Sequence, residues 1–276
     1  MINKPCKVLC LLLLLFGLSP LSLAANEPLK ILFIGNSLTY GNSLPTMLES
    51  MANNSSSHQK LQVEMVTIGG STLSKHWYDG RALAAIQKGG WDYVVLQEHS
   101  KLGSKREKGK VLISHPKTFH TYVSLFNKEI RAVKANTLLY LTWANEDRAT
   151  DQPTLNKAYS DIARELNATL IPVGPVWQQV RHQLPSLSLY LEDKLHPTAA
   201  GSYVAAAVFY AHLFKGIDGN QVASISAQRY DETGKVRSEK KELLVELKQE
   251  QAQAIHQLAQ TSVEPSFEFI QKTTTK

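Results

Sequence analysis

The stretch from Ile31 to Tyr40 constrains both the fold and the chemistry of this chain. It begins with four apolar residues rich in β-formers, which predicts a strand buried on both faces. Gly35 ends this run, and Ser37 follows two residues later, ahead of a second glycine at Gly41. A strand, a sharp turn with a hydroxyl group and a helix together present a nucleophile to a pocket that backbone N–H groups also face. An ordinary β–turn–α junction in which Ser37 caps a helix gives the same pattern, so the rest of the chain must decide.

Short apolar runs alternate with longer amphipathic stretches along the rest of the chain. Besides the opening strand, strands are predicted near 61–66, 91–97, 137–143 and 168–173. Strands that alternate with helices predict an α/β fold, a three-layer α/β/α sandwich with a mainly parallel five-stranded sheet. In such sheets the functional site lies at the carboxyl ends of the strands. Several polar or turn-forming residues follow these predicted ends: Ser37, Gly69, Gly70, Gln97, Glu98 and Asn145.

The first 24 residues do not share this pattern. Lys4 and Lys7 precede an apolar run from Val8 to Phe16, and small residues lie just before position 25, which together predict a secretory signal peptide. The apolar run is shorter than the roughly 20 residues that a membrane anchor needs. The protein is therefore expected to be exported, to the periplasm or to the medium, without a stable membrane anchor after cleavage.

The remaining chain is long enough for one substantial domain. Of the 276 residues of the full chain, 43% are apolar, which supports a real core. Residues 25–262 are predicted to form a single domain whose last element is a helix within 238–260. Residues 263–276 are predicted to be a flexible tail.

Composition narrows the chemistry and the partners. Both cysteines, Cys6 and Cys10, lie in the predicted signal peptide, so the mature chain has no disulfide and no cysteine metal site. The 30 basic residues are only slightly more numerous than the 24 acidic ones, and they are spread along the chain, so nucleic acid is not the expected partner. One basic cluster follows the third strand and is typical of a solvated face or of a surface that steers an anionic polymer. Its members are Lys101, Lys105, Arg106, Lys108 and Lys110.

A second motif lies far along the chain, where Asp193 precedes His196 by three residues. A carboxylate at this spacing accepts a hydrogen bond from one ring nitrogen and leaves the other nitrogen to take a proton from a serine. A loop acid beside a surface histidine that caps a helix is the alternative. Pro197 and a helix rich in small residues follow, which indicates close packing against the sheet.

These two motifs resemble those of a known family. Gly35-Asn36-Ser37-Leu38 resembles the first block of the SGNH (GDSL-type) hydrolases, with Asn36 where Asp is usual, and Asp193 to Pro197 resembles their last block. Gly70 resembles the glycine of their second block. The resemblance extends from about Lys30 to Phe214, and it is closest to the branch whose third strand ends Leu-Gln-Glu. It implies the SGNH, flavodoxin-like fold.

The resemblance also implies roles for particular residues. Ser37 would be the nucleophile, His196 the general base and acid, and Asp193 the residue that orients the imidazole. The oxyanion hole would combine the backbone N–H groups of Ser37 and Gly70 with a side-chain amide. In most of the family that amide is an Asn of a G-x-N-D block, which this chain lacks, so Gln97 is expected to replace it.

The surroundings of this site suggest what it binds. Trp77, Trp143 and Glu98 fall at or near strand ends on the same side as Ser37 and are expected to contact substrate, the aromatic rings by stacking on a sugar. His76 and His99 are interpreted as lining or surface residues. No metal or cofactor is implied, and His115 and His120 are a poor helical chelate.

The sequence thus predicts an exported serine esterase that removes an acetyl or other short acyl group from a carbohydrate. The expected partner is a small-molecule or oligosaccharide ester. Two alternatives stay open at this point: a catalytically weak or inactive carbohydrate-binding protein of the same fold, and an acyltransferase that uses the same triad.

Overall fold

The computed structural model describes residues 27–54, 59–102, 105–107, 110–112, 116–215, 222–238 and 240–263. The predicted signal peptide lies outside this part of the chain, as does nearly all of the predicted tail. Within these ranges, no helix combines the length and the apolar character needed to cross a membrane.

Strands and helices alternate through most of the described chain. The strands are β1 (Leu29–Gly35), β2 (Leu61–Thr67), β3 (Tyr93–Leu96), β4 (Lys105–Glu107), β5 (Lys110–Leu112), β6 (Asn136–Tyr140), β7 (Thr169–Ile171), β8 (Ser224–Ala227) and β9 (Glu242–Glu246). The helices are α1 (Ser37–Tyr40), α2 (Leu44–Asn53), α3 (Leu73–Asp79), α4 (Arg81–Gln87), α5 (Pro116–Ala132), α6 (Gln152–Leu166), α7 (Val173–Gln183), α8 (Ala199–Phe214) and α9 (Gln249–Thr261). Short 3₁₀ turns cover Gly41–Ser43 and Glu146–Asp151.

Five of these strands form one parallel sheet in the order β2-β1-β3-β6-β7. The opening strand β1 lies between β2 and β3, with Gly35 paired to Thr67 and Ile34 paired to Leu96. This strand order is that of the flavodoxin-like doubly wound folds. The predicted α/β fold with a mainly parallel five-stranded sheet is therefore confirmed.

Strand β1 is buried on both faces, which explains why its apolar residues form a run and do not alternate with polar ones. Ile31 and Phe33 belong to a cluster that includes side chains of α2 and α8. Leu32 and Ile34 belong to a second cluster, on the other face, that includes side chains of α4 and α5. All four side chains are at most 1% exposed. The end of β1 is thus held firmly between the two helical layers.

Helix α8 packs closely against the sheet and is buried from Ala200 to Ala211. Its many small residues allow this close approach, as the sequence predicted. The ring of Phe209 contacts Phe33 edge to face, with the two ring centroids 5.4 Å apart. Because α8 begins just after His196, this packing fixes the second motif at the edge of the sheet where β1 ends.

The C-terminal segment differs from the helix predicted across 238–260. Strand β9 pairs antiparallel with β8, and the chain becomes helical only from Gln249. A leucine–valine run fits a helix or a strand, and here the exposed backbone of Ser224–Ala227 supplies a strand partner that local sequence does not reveal. The basic cluster that follows β3 contains regular backbone structure, because the backbones of β4 and β5 form an antiparallel hairpin there.

The close packing of α8 generates a prediction for Gly201. A Cβ atom at this position would lie 2.5 Å from the carbonyl oxygen of Leu189 and 2.5 Å from the ring of Trp177. We expect Gly201→Ala to lower the free energy of unfolding by about 1–3 kcal/mol, although alanine is the better helix former. Denaturant unfolding measures this change. Gly41→Ala is the control, because its Cβ would meet Pro197 no closer than 3.6 Å, and an equal loss in both variants would contradict the explanation.

Candidate active site

The two sequence motifs meet at the carboxyl edge of the sheet. Ser37 begins α1 directly after β1, and Nε2 of His196 lies 2.8 Å from its Oγ, although the residues are 159 positions apart. Nδ1 of His196 lies 2.5 Å from Oδ2 of Asp193. With the ring neutral, Nδ1–H donates to the carboxylate and Nε2 accepts from the serine hydroxyl. The three side chains therefore form one hydrogen-bonded line suited to moving a proton from the serine.

The carboxylate of Asp193 is held by its own loop. Its Oδ1 accepts the backbone N–H groups of Leu195 at 3.0 Å and His196 at 2.9 Å. The hydrogen bond from the His196 ring, together with these backbone donors, lowers the pKa of Asp193 to about 2. Lys194 has a φ of 61° and turns the chain so that these N–H groups reach the carboxylate. Asp193 is thus ionised at neutral pH and fixed against the imidazole.

Asn36 holds the turn that carries Ser37, a role the sequence reasoning missed. Its Oδ1 accepts the N–H of Leu38 at 3.0 Å, which caps α1, and its amide nitrogen donates to the carbonyl of Ser71 at 2.8 Å. The side chain is only 2% exposed. An amide performs both tasks because it has a donor and an acceptor, whereas the ionised Asp usual in the first block only accepts. The presence of Asn36 where the family usually has Asp was the sequence signal that could have revealed this role.

The backbone donors of the predicted oxyanion hole are open. As the first residue of α1, Ser37 has no intrahelical acceptor for its N–H. Gly70 lies at the exposed tip of the loop after β2, with a φ of 61° that favours glycine. Among the described residues, neither N–H group has a hydrogen-bond acceptor. Both are therefore available to an oxygen atom bound at this edge.

The expectation that Gln97 supplies the third donor of this hole is contradicted. The side chain is 0% exposed, and its Oε1 accepts from the N–H of Asn36 and the hydroxyl of Thr39, each at 2.8 Å. Its amide nitrogen donates to the carbonyl of Glu98 at 2.5 Å. A Cβ at Gly35 would collide with this amide, so the glycine leaves the space that Gln97 fills. Gln97 braces the serine turn from inside, and its complete burial keeps the amide away from substrate.

Glu98 was expected to contact substrate, and the structure places it inside the protein instead. The residue is 3% exposed, and its carboxylate oxygens accept the N–H groups of Leu73 at 3.1 Å and His99 at 2.7 Å. Burial raises the pKa of Glu98 to about 7, although these two backbone donors lower it. Glu98 therefore joins the start of α3 to the loop after β3.

Trp143 was also expected to bind substrate, and it lies in the core with 1% of its surface exposed. Its indole stacks on Trp177 with ring centroids 3.7 Å apart, and its Nε1 donates to the carbonyl of Leu195 at 3.0 Å. The indole thus supports the loop that carries Asp193 and His196. It offers no face on which a sugar ring can stack.

Trp77 is only partly buried, and the buried part of its ring belongs to the packing. Its ring lies edge to face against Phe126, with centroids 5.2 Å apart, and it packs on the second core cluster. The neighbouring Tyr78 is 78% exposed, and its hydroxyl is 3.1 Å from that of Tyr122. Tyr78 is therefore the more exposed of the two aromatic residues of this helix.

Potential metal ligands are dispersed in the described part of the chain. No group of three or more His, Cys, Asp and Glu side chains there is arranged to hold a metal ion. Nε2 of His76 donates to the carbonyl of Gly35 at 2.8 Å, and burial lowers the pKa of His76. Nε2 of His120 donates to the carbonyl of Ala158 at 2.8 Å. Both rings thus serve the packing of backbone segments.

Comparisons with known proteins were made for family, sequence and structure. No family model matches the chain, and no curated protein matches it in sequence. Solved structures do match. A protein of Slackia heliotrinireducens, described as a candidate SGNH hydrolase, is 25% identical over 68% of this chain and 100% of its own, with a TM-score of 0.54.

The chain has the fold of the SGNH hydrolases. The acetyl xylan esterase AlAXEase is 15% identical over 66% of this chain and 99% of its own, with a TM-score of 0.55. A variant of the acetyl xylan esterase Axe2 from Geobacillus stearothermophilus is 16% identical over 70% of this chain and 98% of its own, also with a TM-score of 0.55. The resemblance to SGNH (GDSL-type) hydrolases is confirmed, and these matches support an enzyme that hydrolyses ester bonds.

The buried carboxyl of Glu98 predicts a pH dependence of stability for this SGNH fold. Because its pKa is raised to about 7 in the folded protein, the folded state keeps the proton over a pH range in which the unfolded state has lost it. Folding stability from this group is therefore lost as the pH rises towards 7. We expect the wild type to lose about 2 kcal/mol relative to Glu98→Gln between pH 5 and pH 8, measured by urea unfolding.

The exposed Glu165 provides the control, since Glu165→Gln removes the same charge from the surface. Its stability difference from the wild type is expected to stay nearly constant over this pH range. A constant difference for Glu98→Gln as well would show that burial does not raise the pKa of Glu98.

Proposed function

We propose that the protein is an exported serine esterase that hydrolyses a carboxylic ester, with a short acyl group such as acetyl on a carbohydrate as its substrate. One observation carries the proposal: the hydrogen-bonded line from Ser37 Oγ through His196 to Asp193. It lies at the edge of the sheet where doubly wound folds bind ligands. Export is supported by the leader sequence of residues 1–24.

The proposed reaction follows from the positions of these side chains. Oγ of Ser37 attacks the ester carbonyl carbon while its proton passes to Nε2 of His196. The negative charge on the carbonyl oxygen is stabilised by the backbone N–H groups of Ser37 and Gly70. His196 then gives its proton to the departing alcohol oxygen, which leaves an acyl-serine. Water, deprotonated by His196, releases the acid, and the proton returns to Oγ.

The proposed substrate class is supported by the structural neighbours more than by the aromatic side chains that suggested it in the sequence. Trp143 is buried and offers no face to a sugar, whereas Trp77 is partly exposed and stays a proposed contact. The proposal of an acetylated carbohydrate now draws on the structural neighbours described as acetyl xylan esterases. The exposed loop at Gly69 and Gly70 also leaves the hole accessible to a bulky alcohol.

A carbohydrate-binding protein without catalysis is the second candidate. One observation favours it, because Gln97 is consumed inside the protein and the hole lacks the side-chain donor usual in the family. An acyltransferase would use the same triad and differ in its acceptor. Product analysis with an added polyol distinguishes transfer from hydrolysis.

A fluorophosphonate probe tests the activated serine directly. We expect the purified mature protein to be labelled and Ser37→Ala not to be labelled, since the probe reacts with a serine whose proton is taken up by a neighbouring base. Hydrolysis of p-nitrophenyl acetate is expected to be lost in the same variant. Ser186→Ala, which alters an exposed serine, is the control and should label like the wild type. A folded wild type that is not labelled would favour the binding protein.

Asp193 gives a second test of the proposed mechanism. We expect Asp193→Asn to lower kcat for p-nitrophenyl acetate by about 10²–10⁴-fold, because the amide neither holds the imidazole tautomer nor stabilises the imidazolium. Its side chain is 49% exposed, so the melting temperature is expected to change little. Glu192→Gln, an exposed neighbour on the same loop, should leave kcat unchanged. Equal rates for wild type and Asp193→Asn would remove Asp193 from the mechanism.

A further inference from the structure

The site described so far has two backbone donors and no side-chain donor for a developing oxyanion. The resemblance suggested Gln97 for this role, but both its amide oxygen and its amide nitrogen form hydrogen bonds inside the protein. Each donor of an oxyanion hole contributes roughly 3 kcal/mol of transition-state stabilisation. A further donor at the same edge would therefore matter for the proposed esterase, and the following inference rests on that proposed function.

His99 follows β3 at the edge of the sheet where Ser37 follows β1. Strand β3 runs beside β1, with Leu96 paired to Ile34 and the N–H of Gln97 donating to the carbonyl of Ile34 at 2.9 Å. His99 and Ser37 each follow that pair by three residues, at the same edge of the sheet. Adjacent parallel strands thus deliver the two residues to neighbouring positions.

The backbone around His99 is held from both sides. Its N–H donates to the buried carboxylate of Glu98 at 2.7 Å, and its carbonyl accepts the N–H of Leu102 at 2.7 Å. Because Glu98 also binds the N–H of Leu73 at the start of α3, it connects the His99 loop to the loop that carries Gly70. One carboxylate therefore ties the backbone at His99 to the start of α3.

The orientation of the His99 ring makes it a donor. Nδ1 accepts the backbone N–H of Lys101 at 3.1 Å, so in the neutral ring the proton resides on Nε2. Burial, Lys101 and His196 all lower the pKa of His99, which keeps the ring neutral at pH 7. Within the described residues, Nε2 of His99 has no hydrogen-bond partner.

We propose that Nε2–H of His99 is the side-chain donor of the oxyanion hole, in the role that a family amide fills elsewhere. It acts beside the backbone N–H groups of Ser37 and Gly70 on the carbonyl oxygen of the ester. A neutral donor suits this place, because a second imidazolium beside protonated His196 would raise the energy of the intermediate. His99 is then a catalytic residue that contacts the reacting oxygen and transfers no proton.

The test compares two substitutions that both remove the ring Nδ1 but differ in whether a side-chain N–H is present. His99→Phe keeps a ring without N–H, and His99→Gln places an amide N–H near the position of Nε2. We expect His99→Phe to lower kcat for p-nitrophenyl acetate by about 10²–10³-fold, with KM within about threefold of the wild type. His99→Gln is expected to recover at least about tenfold of this loss. His182→Phe, at an exposed histidine, is the control and should keep the wild-type kcat.

The outcomes separate this inference from the proposed function. Wild-type labelling by fluorophosphonate, with the predicted loss and its recovery by glutamine, supports both. Labelling with a kcat for His99→Phe within about threefold of the wild type overturns the role of His99 and leaves the esterase standing. Equal losses in the phenylalanine and glutamine variants also overturn it, because a structural role does not distinguish them. A wild type that is neither labelled nor hydrolytic overturns the esterase and this donor together.

Discussion

The buried amide of Gln97 is the interaction on which the proposed active site depends. Its oxygen receives the N–H of Asn36 and the hydroxyl of Thr39, which lie on either side of Ser37. Helix α1 has only four residues and is too short to hold its own shape, so the serine is positioned by this amide and by the end of β1. The absence of a Cβ at Gly35 makes room for the amide. A side chain first expected to serve substrate thus serves the turn.

The carboxylate of Glu98 holds the neighbouring loops together, as the amide of Gln97 holds the serine turn. Removing a charge from water is costly, and burial raises the pKa of Glu98 accordingly. In return, its two oxygens satisfy the N–H groups of Leu73 and His99, which would otherwise be buried without partners. Asn36 adds a further link, to Ser71. The loops after β1, β2 and β3 are therefore connected to one another by side chains from the strand ends.

The fold was predictable from the sequence because the central strands β1, β3 and β6 are buried on both faces and read as short apolar runs. The position of Ser37 at the carboxyl edge of the sheet was predictable as well, because that edge is where a residue after β1 must lie. Its pairing with His196, which follows no strand, was expected only from the Asp193–His196 spacing and from the resemblance to the SGNH blocks. The direction of a side chain was not predictable. Trp143 and Gln97 follow strand ends, yet both turn inward, one onto Trp177 and one into the space beside Gly35. The pairing of β8 with β9 was not predicted, because strand pairing depends on partners that are distant in sequence.

The separation of 159 residues between Ser37 and His196 has a consequence for the order in which the proposed site is assembled during synthesis and folding. A chain made from its N-terminus presents the serine early, but the base proposed to activate it arrives only when α8 has been made and has packed against the sheet. Until then the hydroxyl has ordinary reactivity. On this proposal, the Ser37 hydroxyl becomes a strong nucleophile only after nearly the whole sheet has formed, and in an unfinished chain it is no more reactive than any other serine.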